Sequence, residues 1–253
     1  ISRYLIRDYH PQSRALNTEE VFLKSSNKGA SLIALQLGGE NLKSFYQNLG
    51  LLNYSSINIK EKSKPKFPRK IGEIETANLS FGYGISITPV HLIEAASLIF
   101  SKYKFKKIEL ELQKENKEKT DNNFLSAATR NKILHLMQQN VLSGTGKNAY
   151  LKGYSIGGKT ATAEKTKKKS GGYDKKKLVS SFLSIFPVTN PKYICLVLFD
   201  EPFLEKYVNE NGGATGGRTA AKTTSKIIER VAPILGIEKE NIAEDFLVNV
   251  KRK

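Results

Sequence analysis

Three apolar runs between Tyr154 and Phe199, parted only by turn and lysine-rich segments, constrain this chain more than any other feature. Tyr154 to Glu164, Leu178 to Val188 and Tyr193 to Phe199 each have the length and the β-branched and aromatic content of a strand. The second and third are joined by Thr189-Asn190-Pro191-Lys192, and the first and second by the basic stretch Lys165 to Lys177. Sequential antiparallel strands are the simplest solution.

Helical patterns flank these strands. Asn17-Thr18-Glu19-Glu20 has the form of a capping box and predicts a short helix after it, and Ala30 to Leu37 reads as a second helix closed by Gly38-Gly39. Ser25-Ser26-Asn27 thus falls between two helices. A third runs from about Glu40 to Asn48, and Thr88-Pro89 predicts a start for a helix to about Tyr103. Ser126 to Leu142 and Arg218 to Leu235, the latter interrupted near Pro233, complete the helices, and Lys106 to Gln113 alternates like a strand. Helices with an antiparallel sheet give an α+β class.

With 253 residues and 39% hydrophobic content the chain can bury one sizeable core, and a single domain over 1–253 is the default. No stretch approaches an uninterrupted apolar membrane span, since even Val90 to Phe100 contains Glu94. The chain opens at Ile1 without methionine, so a targeting or anchoring element is expected upstream. The lone Cys195 excludes an internal disulfide and reads as a buried structural thiol. His10, His91 and His135 show no ligand spacing, so neither metal nor cofactor is expected.

The formal charge of +17 would suit an anionic partner, yet much of it sits in Lys60 to Lys70 and Lys165 to Lys177, which lack interleaved aromatics. Solvated loops are the plainer reading, and no nucleic-acid partner is expected.

Acyl transfer through serine needs an activated hydroxyl, a base and donors for the developing oxyanion. Ser25-Ser26-Asn27 offers a hydroxyl and a carboxamide. Ser56-Ile57-Asn58 fits the same Ser-x-Asn pattern, while Ser25 to Lys28, Ser63 to Lys66 and Ser101 to Lys104 fit Ser-x-x-Lys, so such short patterns arise by chance. Gly157-Gly158-Lys159-Thr160-Ala161-Thr162 offers an ammonium and two hydroxyls on a strand, able to bind a carboxylate and bias a nucleophile's pKa. Strand parity puts Thr160 and Thr162 on one face and Lys159 on the other, a conflict that an edge strand with a flexible lysine relieves. The alternative is an ordinary edge strand.

Five blocks in order resemble class B penicillin-binding proteins, most closely the cell-division peptidoglycan D,D-transpeptidases: Asn17 to Leu37, Phe81 to Ala95, Val141 to Glu164, Phe186 to Pro202, and Thr215-Gly216-Gly217 with Ala220-Ala221. The resemblance implies the penicillin-binding-protein and serine β-lactamase-like fold, with an antiparallel sheet packed by helices plus a helical lobe. It implies crosslinking of peptidoglycan stem peptides in septal wall synthesis through a serine acyl-enzyme, inhibition by β-lactams and association with division-complex membrane proteins. It also implies a periplasmic location, with an anchoring helix outside this sequence.

On the same resemblance, Ser25 is a proton relay, Asn27 grips the substrate amide and Lys159 is the electrostatic partner of Ser25. Thr160 and Thr162 bind the terminal carboxylate, and the Thr162 amide supplies half the oxyanion hole. The family's Ser-x-x-Lys nucleophile precedes the Ser-x-Asn block by several tens of residues, so it is expected upstream of Ile1 and the domain is expected to be partial. The rival pair is Ser25 with Lys28. One departure stands out: the family's Lys-Thr-Gly reads Lys159-Thr160-Ala161, which implies a shifted or weakened docking site. That departure also motivates a catalytically silent division scaffold of the same fold as the alternative function.

Overall fold

The computed structural model describes residues 5–104, 107–111, 120–167, 172–204 and 213–240. The chain forms two compact units, 1–131 and 132–253, with the boundary inside helix α6 (Ala127–Ser143).

The first unit carries α1 (Thr18–Lys24), α2 (Asn27–Leu37), α3 (Gly39–Asn48), α4 (Glu73–Ser80) and α5 (Pro89–Phe100). Capping chemistry sets their starts. The Asn17 side chain accepts from the Glu20 N–H at 2.9 Å, and the Glu20 carboxylate accepts from the Asn17 N–H at 3.0 Å. At α5, Thr88 precedes Pro89, and Nδ1 of buried His91 lies 2.7 Å from the Thr88 hydroxyl while its Nε2 lies 2.9 Å from the Asn53 carbonyl. His91 is therefore a satisfied core histidine.

The helices close over two apolar clusters. Ala34, Leu42 and Leu79 meet Tyr46, Phe67, Ile71 and Ile85, while Leu49, Leu51 and Ala95 meet Leu98, Ile99 and Phe124. The Tyr46 hydroxyl donates to the Leu79 carbonyl at 2.7 Å, which ties α3 to α4.

Three expectations need correction in this unit. Helix α4 was not legible, because its apolar residues are few and it follows the basic stretch 60–70 directly. Helix α5 stops at Phe100 instead of Tyr103, because Asn122 donates to the Leu98 and Ser101 carbonyls and Arg130 to that of Ile99, satisfying its C-terminal acceptors from outside. Of the strand anticipated over 106–113, residues 107–111 are irregular and 106, 112 and 113 lie outside the described residues.

The second unit holds most of α6, strands β1 (Gly157–Thr166), β2 (Tyr173–Phe186) and β3 (Tyr193–Asp200), and α7 (Ala220–Ile234). The sheet has the anticipated order, β1-β2-β3, antiparallel throughout. Helix α7 ends one residue beyond Pro233, so the proline falls in its last turn and not at an interior break. Strand β2 begins at Tyr173, earlier than Leu178, because Tyr173 and Asp174 pair with Thr166 and Lys165 of β1. Lys165 opposes Asp174 while Glu164 opposes Leu178, so Lys175, Lys176 and Lys177 bulge from β2 with no counterpart on β1.

One face of the sheet builds the core. Phe182 and Phe186 pack with Ala220, Ala221, Ile228 and Ala232 of α7 and with Val141, Tyr154 and Ile156. Phe182 is fully buried, which stabilises by about 1.5–3 kcal/mol. Its ring crosses Gly158, where a Cβ would lie 2.2 Å from the ring, so that position must stay glycine for β1 to approach β2 here. Cys195 is half-buried in β3, and burial raises its thiol pKa.

Candidate active site

The sequence candidates fall in two places, Ser25 and Asn27 in the first unit and Lys159 to Thr162 in the second.

At the first place, two helices are joined with almost no slack. Ser25 caps the end of α1 in the left-handed region, φ 53° and ψ 47°, a conformation costing a non-glycine residue about 1–2 kcal/mol. Ser26 starts α2: its hydroxyl accepts from the Gly29 N–H and donates to the Asp8 carboxylate, both at 2.9 Å. Asp8 also accepts from the Lys28 N–H at 2.9 Å. Asn27, the first residue of α2, donates from Nδ2 to the Arg7 carbonyl at 3.1 Å, leaving its carboxamide oxygen outside that bond. The strained Ser25 is thus braced by its neighbours, a pattern that clusters at functional positions.

The short-pattern rivals resolve differently. Ser25 lies outside α2, so it and Lys28 do not share the helical turn that Ser-x-x-Lys requires. The Ser56 hydroxyl and N–H both go to Glu94 Oε1, at 2.5 and 2.6 Å. The Ser101 hydroxyl donates to the Tyr103 carbonyl at 2.7 Å.

At the second place, β1 pairs with β2 alone among the described residues and so forms a sheet edge. Lys159 opposes Leu183, and burial brings its ammonium pKa down from 10.5 to about 8. Its Nζ lies 3.5 Å from the Thr160 carbonyl, a loose contact. A lysine so placed carries charge at neutral pH yet gives up its proton readily.

Thr160 and Thr162 share one face of β1, as parity requires, Thr160 half-buried and Thr162 exposed, and each meets a turn. The Thr160 hydroxyl lies 2.7 Å from that of Thr145, and the Thr162 hydroxyl accepts from the Gly216 N–H at 3.0 Å. Gly216 presses on the strand so closely that a Cβ there would lie 2.5 Å from the Ala161 carbonyl. Ala161 itself is exposed on the opposite face, so its methyl leaves the strand undisturbed and projects outward.

A family model described as penicillin binding protein transpeptidase domain matches residues 1–229. This chain belongs to the penicillin-binding-protein transpeptidase family. It is 34% identical over 242 residues to the probable peptidoglycan D,D-transpeptidase FtsI of Caulobacter vibrioides, covering 93% of this chain and 41% of that protein. It is 29% identical over 195 residues to the stage V sporulation protein D of Bacillus subtilis, covering 72% of this chain and 30% of that protein. The apo transpeptidase domain of Burkholderia pseudomallei penicillin-binding protein 3 superposes with a TM-score of 0.77 at 28% identity, over 90% of this chain and 67% of that one. The chain therefore spans about two fifths of the FtsI relative's length.

This penicillin-binding-protein transpeptidase chain has the α+β fold that its sequence implied. Asn140 lies outside the five blocks, and Thr145 and Gly216 fall inside two of them with no role assigned, so only the folded packing reveals that they hold β1.

Proposed function

We propose that this chain supplies the substrate-gripping part of a serine D,D-transpeptidase that crosslinks peptidoglycan stem peptides, acting in septal wall synthesis. The observation that carries the reading is Lys159, its pKa lowered by burial, followed on an edge strand by two hydroxyls. The transpeptidase family match and the D,D-transpeptidase name of the Caulobacter relative support it.

In this reading a serine hydroxyl, contributed upstream of Ile1, attacks the carbonyl of the penultimate D-alanine and releases the terminal D-alanine. An amine of a neighbouring stem then attacks the resulting ester and regenerates the serine. Ser25 relays the proton, and Asn27 holds the substrate amide. Lys159 with the hydroxyls of strand β1 receives the terminal carboxylate, and the Thr162 N–H supplies half the oxyanion hole. β-Lactams are substrate mimics at the same groups. The outer side of the cytoplasmic membrane is the working location, with division-complex membrane proteins as partners; among the described residues no helix is long and apolar enough to cross a membrane.

The test is acylation of the full-length protein by a fluorescent penicillin. Wild type is expected to label, and Lys159→Ala to label at least about 100-fold more slowly, the scale lost with one preorganised electrostatic group. A folded protein that does not label is instead a silent scaffold, and labelling indifferent to Lys159→Ala removes the roles assigned here.

A further inference from the structure

The turn that carries Ser25, Ser26 and Asn27 is gripped by two consecutive residues from much earlier in the chain. The Asp8 carboxylate divides its oxygens: Oδ2 accepts from the Ser26 hydroxyl and Oδ1 from the Lys28 N–H, both at 2.9 Å. The Arg7 carbonyl accepts from Asn27 Nδ2 at 3.1 Å. Residues 26, 27 and 28 are therefore held one after another by a short segment 18 to 20 residues upstream, and none of the three contacts is made by Ser25.

A helix start needs one side-chain acceptor, and Ser26 already supplies it to the Gly29 N–H at 2.9 Å. Asp8 is present beyond that requirement. Its negative charge sits at the N-terminus of the eleven-residue α2, where the helix dipole favours an anion. The buried Ser26 hydroxyl has one proton and gives it to Asp8, which turns its lone pairs to Gly29, so the carboxylate sets the direction of the cap.

Ser25 keeps its left-handed backbone only while the end of α1 and the start of α2 both stay in place. On the α1 side the Ser25 N–H donates to the Phe22 carbonyl at 3.2 Å and the Ser26 N–H to that of Val21 at 3.0 Å. On the α2 side the junction is fixed through Ser26 by Asp8. Without the carboxylate, the Ser26 side chain can turn and the junction can relax towards a commoner conformation, carrying the Ser25 hydroxyl with it.

We infer that Asp8 is a positioning residue for the reaction: by holding Ser26 and the first turn of α2, it fixes the turn from which the Ser25 hydroxyl and the Asn27 carboxamide act. The inference rests on the roles proposed above for Ser25 and Asn27.

The experiment follows acylation of the full-length protein by a fluorescent penicillin and separates the rate at saturating probe from the fraction labelled at completion. Asp8→Ala is expected to lower that rate about tenfold, the worth of one charge-assisted hydrogen bond, with the labelled fraction unchanged. Asp8→Asn keeps an oxygen for the Lys28 N–H and should be about threefold faster than Asp8→Ala. Added to Ser25→Ala, Asp8→Ala should slow acylation by less than about threefold, since the hydroxyl that it positions is gone. A smaller labelled fraction at an unchanged rate would make Asp8 a structural cap alone, and a full tenfold loss in the Ser25→Ala background would mean that it does not act through Ser25. Either result overturns the inference. A wild type that does not label overturns the transpeptidase reading itself and this inference with it.

Discussion

The serine junction and the β1 edge are held by opposite means. At Ser25 a strained backbone residue sits between two helices, braced by the Ser26 cap and by Asp8 and Arg7 near the surface. At Lys159 the backbone is regular, and the constraint comes from a buried polar chain through Asn140 and Thr145. Strain relieved by a single substitution costs little in stability, whereas a buried network broken at one member leaves its other members unsatisfied. The first place should therefore tolerate change in fold while losing function, and the second should lose the fold first.

The sharpest way to break this contrast is Asn140→Ala. It strips partners from the buried Gly158 carbonyl and from half-buried Thr145, and is expected to cost about 3 kcal/mol in urea unfolding. A cost below about 1 kcal/mol would show that water replaces the amide and that the network is not the constraint. Ser26→Ala removes a helix cap and the Asp8 link and should cost about 1 kcal/mol in the same measurement.

Ser25→Gly runs the other way. Glycine takes the left-handed conformation freely, so the folded state should gain up to about 1 kcal/mol, offset in part by the freer unfolded chain, while penicillin acylation falls. A destabilised Ser25→Gly would mean that the serine side chain holds the junction.

A further test is a pH slope. Between about 8 and 10.5 the unfolded chain retains the Lys159 proton that the folded chain has lost, so stability rises with pH across that window and carries the full penalty below it. Lys159→Met should flatten the rise, as thermal melts across that range can show.

Much of the fold was legible because local chemistry writes it. The Asn17 box, the Thr88-Pro89 start and the three apolar strand runs need no tertiary information to be read. Helix α4 was missed because it depends on Thr76, Ala77 and Leu79 being buried, which their pattern alone does not show. The start of β2 was read as loop because its lysines do bulge from the ladder, and the strand resumes beyond them only through the pairing of Asp174 and Tyr173 with β1. In the candidate site, Ser25 and Lys159 were recognised by the company of five ordered blocks. The support behind β1 was beyond reach, since it depends on an asparagine of helix α6.

The bulge of Lys175 to Lys177 has a consequence for how the chain can change. It uncouples the pairing of Lys165 and Thr166 from the inner ladder, so a residue gained or lost among those lysines alters the pairing beyond Glu164 and leaves Lys159 opposite Leu183. The outer pairs can slip or be recharged over generations while the working end of the strand keeps its alignment.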